Sequence, residues 1–373
     1  MTPTTETSTP VDYRVRRDDY SKGEFTTGPK AEEIELGPDE ALLRIAKFAF
    51  TANNITYAVV GEMIGYWNFF PAEEGWGRIP VWGIGVVERS NAEGMKEGDR
   101  FFGYYPMSTH LKVKPVKVSP AGFIDGAEHR QALPPTYNNY RRMTLEGGFD
   151  PKYDDLMMIF WPLFMTGFVI DDFLADNDFF GAKSVVFSSA SSKTSFGTAF
   201  QVSQRGDGPG QGRPEIIGLT SPGNKAFTEG LGCYDRVVTY DEVGTLDAAT
   251  PTTFVDMAGN ADVVSAVHNH FADNLRYSCL VGMTHWQDNK PAAGLPGPAP
   301  AMFFAPTQIE KRGKDWGPGG LQERFGKAWE VFMEPVARCI TVVHGEGQDA
   351  VERVYQDTLA ARAKPNEGHV LEM

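Results

Sequence analysis

At 373 residues the chain is too long for one ordinary hydrophobic core, and at least two domains are expected. A composition of 41% hydrophobic and 23% charged residues is that of a globular protein and excludes a disordered chain. The formal net charge of −14 argues against nucleic acid as a partner, because phosphate backbones are bound by basic surfaces.

In chain order, Met1 to Pro10 is Thr-rich, lacks the basic and apolar regions of a signal peptide, and reads as a disordered tail. From about Tyr13 to Pro120 short apolar segments, Ala41–Phe50 and Val81–Val87 among them, are separated by Gly, Pro and Asp, which predicts a β-rich domain. Gly98-Asp99-Arg100 reads as a turn entering another strand at Phe101. From Ser119 to about Tyr153 the chain is polar and shows no period, which predicts an inserted lid or binding loop.

Leu156 to Leu174 is a long apolar stretch suited to a buried helix. No apolar run is read as reaching the roughly 20 residues that span a bilayer, so no membrane partner is expected. Strands at Ser184–Phe187, Ile216–Leu219, Arg236–Tyr240, Phe254–Asp256 and Ser278–Val281 then alternate with helices at Ser195–Gln204, Asn224–Leu231 and Ala261–Phe271. This alternation predicts a parallel, doubly wound sheet. Gln287 to Ala301, rich in Pro, Gly and Ala, reads as an exposed loop, and Leu321–Phe332 and Ala350–Arg362 as closing amphipathic helices. Cys233, Cys279 and Cys339 lie far apart with no CxxC, which excludes a disulfide framework and a four-cysteine zinc site and favours a cytoplasmic address.

The segment Val185 to Gly197 is a strand, a tight turn of small residues and a helix start. Such a turn aims backbone N–H groups and the positive helix end at an anion. Ser189, Ser192 and Ser195 stand where dinucleotide folds carry glycines, with hydroxyls to donate to phosphate and without the glycine-only dihedrals. Lys193 adds a charge beside the pyrophosphate; the alternative is a Ser-rich turn with a solvated lysine. After Leu219, where NAD sites place an acid for the ribose hydroxyls, there is no Asp or Glu before Thr228. Ser221, Asn224 and Lys225 stand there instead and favour NADP(H).

With these segments in their order, and with Gly85-Val86-Val87, Gly98-Asp99-Arg100, Pro162 to Thr166 and the ending Gly368 to Met373, the chain resembles the quinone oxidoreductase-like branch of the medium-chain dehydrogenase/reductases. Within that branch it is most similar to an uncharacterised bacterial family, a domain of unknown function. The resemblance implies an α/β architecture. A GroES-like β-rich catalytic domain (1–155, with the inserted lid at about 119–153) precedes a Rossmann NADP-binding domain (156–330), and 331–373 return to the catalytic domain. It implies that Thr166 and the strand end at Val281 and Gly282 approach the nicotinamide, and that the chain is a homodimer. Zinc-dependent members bind metal through a Cys and a Gly-His-Glu; the matching positions here are near Ala52 and at Pro80, Val81 and Trp82. None of these can ligate zinc, and no metal is expected.

Without zinc, hydride transfer needs another donor for the developing negative charge. Asn53, with the register open by one residue, and Tyr57 are the candidates on Thr51 to Tyr57. Tyr66, Trp82, Tyr105 and Tyr140 are expected to line an apolar or aromatic small-molecule substrate, and Arg130 to recognise an anionic group on it. Core packing and surface arginines are the plainer alternatives. A non-catalytic NADP(H) sensor is a rival reading. A P-loop reading built on Ser192-Lys193-Thr194 fails for want of both glycines, at Phe187 and Ser192.

Overall fold

Burial divides the chain by period. In Ala41–Phe50 the two faces of the strand differ, whereas all four residues of Ser184–Phe187 are buried. The first pattern suits an antiparallel sheet open on part of one face, and the second a parallel sheet covered on both. The computed structural model describes residues 10–145, 149–282 and 294–373, and separates into two compact units. The first comprises residues up to Ile159 together with Val342–Ala363 and Glu367–Met373; the second comprises Phe160–Thr341 and Lys364–Asn366. The Thr-rich tail before Pro10 and the first part, 287–293, of the Pro/Gly/Ala-rich stretch lie outside the described residues.

Among the described residues, the first unit is built on a nine-stranded sheet. Its centre is Ala41–Phe50, Pro80–Ser90 and Arg100–Pro106, paired antiparallel in sequence. Glu367–Glu372 joins the outer side of Ala41–Phe50, Val370 opposite Ala49, and His110–Val113 covers the other half of that side. A core of Leu43, Phe48, Phe50, Phe101, Tyr105 and Tyr355 fills the unit.

The segment 119–153 is not an irregular lid, although 146–148 lie outside the described residues. It supplies two strands of this sheet, Gly122–Asp125 and Asn139–Arg142, paired antiparallel with Tyr140 opposite Phe123. Those two rings stack at 4.8 Å, and Asn139–Arg142 pairs on to Arg100–Pro106. Strands of four residues, Gly-Phe-Ile-Asp and Asn-Tyr-Arg-Arg, are too short to show an apolar alternation in the sequence.

The second unit holds, among the described residues, a six-stranded parallel sheet. Its order is Arg236–Thr239, Glu215–Thr220, Ser184–Phe187, Thr252–Asp256, Leu275–Leu280 and Ala301–Met302, the 3-2-1-4-5-6 order of the Rossmann fold. The chain reverses direction across the sheet between Ser184–Phe187 and Thr252–Asp256, which makes the carboxyl ends of these two strands the place where a ligand binds in such folds. Contrary to the expectation from sequence, one helical stretch, Pro151–Asp176, is long and apolar enough to cross a membrane by composition, with a mean hydropathy of 1.5. Within the protein 72% of its apolar window is buried, so core packing accounts for its composition.

Candidate active site

The nucleotide half lies in the second unit. Ser188 Oγ donates to Asp256 Oδ1 at 2.5 Å and accepts from the Met257 N–H at 2.8 Å, so the first and fourth strand ends are tied together at the switch point. Ser189 has φ +45°, the left-handed conformation expected only of glycine at this turn. The surroundings hold it there: its N–H donates to Tyr240 Oη at 3.2 Å, and its carbonyl accepts from Ser192 N at 2.7 Å. Ser192 caps the helix Lys193–Ser203, its Oγ accepting from Ser195 N at 3.3 Å. The first-turn N–H groups of that helix have no intrahelical acceptor, the ordinary condition for anion binding.

Ser195 does something else. It is fully buried, and its hydroxyl sits 3.0 Å from Tyr234 Oη, which donates to Ala190 O. Ser195 therefore braces the turn from beneath rather than facing a phosphate. Lys193 Nζ donates to Pro365 O at 3.3 Å.

At the end of Glu215–Thr220, Ser221 is half-buried, and Asn224 Nδ2 donates to Ser191 Oγ at 3.3 Å, joining this loop to the phosphate turn. Lys225 Nζ lies 3.0 Å from Glu242 Oε2. Glu242 also accepts from Thr239 N, and that backbone hydrogen bond followed by Lys225 holds its carboxyl down at about 2. Neither Tyr240 nor Glu242 stands out in the sequence. They follow the next strand in the chain, and the 3-2-1 strand order is the signal that brings Tyr240 to Ser189 and Glu242 to Lys225.

Thr166 is half-buried, and its Oγ1 donates back to Pro162 O at 3.0 Å. Val281 N donates to Asp256 O, and a Cβ on Gly282 would lie 2.0 Å from Met257 O. That contact is with rigid backbone. Gly282→Ala is expected to lower stability by about 1–3 kcal/mol through overpacking. Denaturant melts of the two proteins check this, and an unchanged midpoint would show that the strand end yields.

The aromatic half lies in the first unit. Thr51 caps the helix Ala52–Val59, which puts Asn53 and Tyr57 four residues apart on one face. Tyr57 is buried, and its Oη accepts from Trp82 Nε1 at 3.2 Å. Burial, then the neighbouring Tyr66 phenol, pushes the Tyr57 phenol well above its ordinary value, while hydrogen bonds from Trp82 and Asn53 act against the shift. Tyr57 is therefore a neutral donor throughout the physiological range. Asn54, one residue on, is structural: its Oδ1 accepts from Thr51 N and its Nδ2 donates to Pro80 O.

Tyr66 and Trp82 pack with Tyr57 in one cluster. Tyr66 packs on Tyr57 at 4.7 Å between centroids, and Trp82 packs on Tyr104 at 5.2 Å. Tyr137, in the inserted segment expected to cover the site, touches the rings of Tyr57, Tyr66, Trp82 and Tyr104 and shares a 2.9 Å hydrogen bond with Tyr66.

Tyr105, Tyr140 and Arg130 do not face this cluster as substrate contacts. Tyr105 points to the opposite face of its strand, where its hydroxyl donates to Phe101 O and accepts from Gly85 N. Arg130 is 1% exposed and donates to Asp125 Oδ2 at 2.6 Å, Tyr140 Oη at 3.0 Å and Tyr137 O at 3.2 Å. Tyr140 in turn donates to Tyr104 O. These two residues fix the backbones that carry Tyr104 and Tyr137.

Residues 48–364 match the family model described as protein of unknown function (DUF2855). No curated protein sequence matches. Among solved structures the chain is similar to CurA from Vibrio vulnificus in complex with NADPH, with a TM-score of 0.60 and 11% identity over 97% of this chain and 98% of that one. It is also similar to a mutant of Etr1p in complex with NADP and crotonyl-CoA, with a TM-score of 0.58 and 10% identity over 98% and 99%. A mutant form of enoyl thioester reductase from Candida tropicalis gives a TM-score of 0.56 and 10% identity over 98% and 99%. At this identity the likeness is one of fold alone.

Proposed function

We propose, for a chain that belongs to the family described as protein of unknown function (DUF2855), that it is an NADPH-dependent oxidoreductase acting without zinc on a conjugated carbonyl compound with an apolar or aromatic body. The observation that carries this reading is the Tyr57 phenol, kept protonated by burial and held by Trp82 and Asn53 among aromatic rings. A neutral phenol in such a place holds a carbonyl oxygen and gives it a proton as negative charge develops. An enone spreads that charge into an enolate and so depends less on a Lewis acid. The positions where zinc-dependent relatives carry ligands are here Pro80, Val81 and Trp82, whose side chains offer no metal donor.

The second unit fits the dinucleotide. The Ser189 turn and the N-terminus of Lys193–Ser203 suit the pyrophosphate, and Ser221, Asn224 and Lys225 suit the ribose 2′-phosphate. When bound, the nicotinamide supplies the hydride. Thr166, Val281 and Gly282 are the residues expected beside it. Solved structures of the same fold hold NADPH or NADP, which supports the choice of cofactor.

Lys225→Ala is expected to weaken NADPH more than NADH by about 1–3 kcal/mol, the worth of a charge-assisted contact. Fluorescence titration with both cofactors measures this, and equal losses would show that the lysine does not read the 2′-phosphate. The function itself is tested by following NADPH oxidation against enones, quinones, aldehydes and ketones after dialysis with chelator. Activity lost to the chelator and restored by zinc overturns the metal-free reading. Tight NADPH binding with no turnover favours a sensor.

A further inference from the structure

Tyr104 is fully buried, and its hydroxyl has no hydrogen-bond partner among the described residues. A buried hydroxyl left unpaired costs about 1–3 kcal/mol, so its place needs an explanation. Among the other buried polar atoms of this unit without a hydrogen-bond partner, several are the Nε of arginines whose other nitrogens are bonded, while the Tyr13 hydroxyl lies against Gly23 and Trp67 Nε1 against Gly61. The Tyr104 ring lies 5.6 Å from Tyr57, 4.8 Å from Tyr137, 5.2 Å from Trp82 and 5.2 Å from Phe69. It stands inside the cluster that holds the proposed proton donor.

The neighbouring hydroxyls have partners. Tyr66 and Tyr137 bond to each other, and Tyr57 accepts from the Trp82 N–H, which leaves the Tyr57 proton to give to a ligand. The Tyr104 backbone is fixed from the other side, because its carbonyl accepts from Tyr140, itself held by Arg130. Tyr104 is therefore a donor held in place with nothing to donate to among the described residues.

We propose that Tyr104 Oη donates a second hydrogen bond to the substrate whose reacting carbonyl is held by Tyr57. The preferred substrates are then planar conjugated carbonyl compounds that carry a second oxygen acceptor across the same flat body. The aromatic rings select for flatness, and the two phenols select for two acceptors. This inference rests on the reading of Tyr57 given above and adds a specificity-determining residue to it.

Tyr104→Phe tests it, with 2-cyclohexene-1,4-dione and 2-cyclohexen-1-one as paired probes. Their dissociation constants are measured by intrinsic fluorescence without NADPH, so that no reduction takes place. The ratio of affinities, dione over monoketone, is expected to fall about tenfold in the variant, the worth of one hydrogen bond. The melting temperature should not fall, since the lost hydroxyl had no partner in the free protein. An unchanged ratio, or no binding of the dione by the wild-type protein, overturns the proposal. So does a variant that melts several degrees lower, which would mean that a buried water holds the hydroxyl for structural reasons. Failure of the reductase reading looks different: the wild-type protein binds the dione with the expected ratio yet does not oxidise NADPH in its presence.

Discussion

Arg130→Ala is expected to destabilise the first unit by about 3–5 kcal/mol, because it leaves a buried carboxylate without its counter-charge. Asp125, itself buried, accepts from Arg130 at 2.6 Å and from the N–H groups of Lys114 and Ala127. The guanidinium also lies 5.1 Å from the Phe70 ring and 5.4 Å from the Phe69 ring, so its removal costs packing as well as charge. For a unit of this size the midpoint should fall by roughly 10 °C. Pairing Arg130→Met with Asp125→Asn should cost much less than the two single losses added together. A single variant that stays within about 1 kcal/mol of wild type would show that water enters to solvate the carboxylate.

Tyr57→Phe is expected to lower kcat by about 10²–10³-fold, the loss typical of one oxyanion donor. NADPH affinity, which the proposed function assigns to residues of the second unit, should stay as it is. The pH profile separates this role from simple packing. Burial raises the phenol's pKa, so the protonated form persists to higher pH than the ordinary value of about 10. The wild-type protein should therefore show no loss of kcat/KM from this group between about pH 7 and 9. A rise of kcat/KM with pH through that range, absent from the Phe variant, would assign the phenol an ionised role and sink the general-acid reading.

The Rossmann half was legible because its signals are local. Ser184–Phe187 is a fully buried run closed by small residues, and Ala261–Phe271 begins at an Asn whose side chain caps it. The short strands Gly122–Asp125 and Asn139–Arg142 were not legible, since what fixes them is side-chain contact, the Asp125–Arg130 ion pair and the Phe123–Tyr140 ring stack, which leaves no periodic pattern in the sequence. Tyr104 and Tyr105 differ only in strand parity, and the face that meets the cluster is set by the pairing with Pro80–Ser90. The absence of an acid after Leu219 held for that segment, yet Glu242 reaches Lys225 from beyond the next strand. Sequence spacing alone does not show such a neighbour.

The pairing of Val370 with Ala49 has a consequence for how the first unit forms. Synthesis proceeds from the amino end, so Phe48–Phe50 emerges long before the segment that will lie alongside it. Until then the outer edge of that apolar strand shows unsatisfied N–H and C=O groups to water or to another nascent chain. The second unit, whose strands and helices follow one another closely, can settle in the meantime with short loops to close. The amino-terminal half of this chain is therefore the last to be finished, and the interval before its edge is sealed is when misassembly threatens it most.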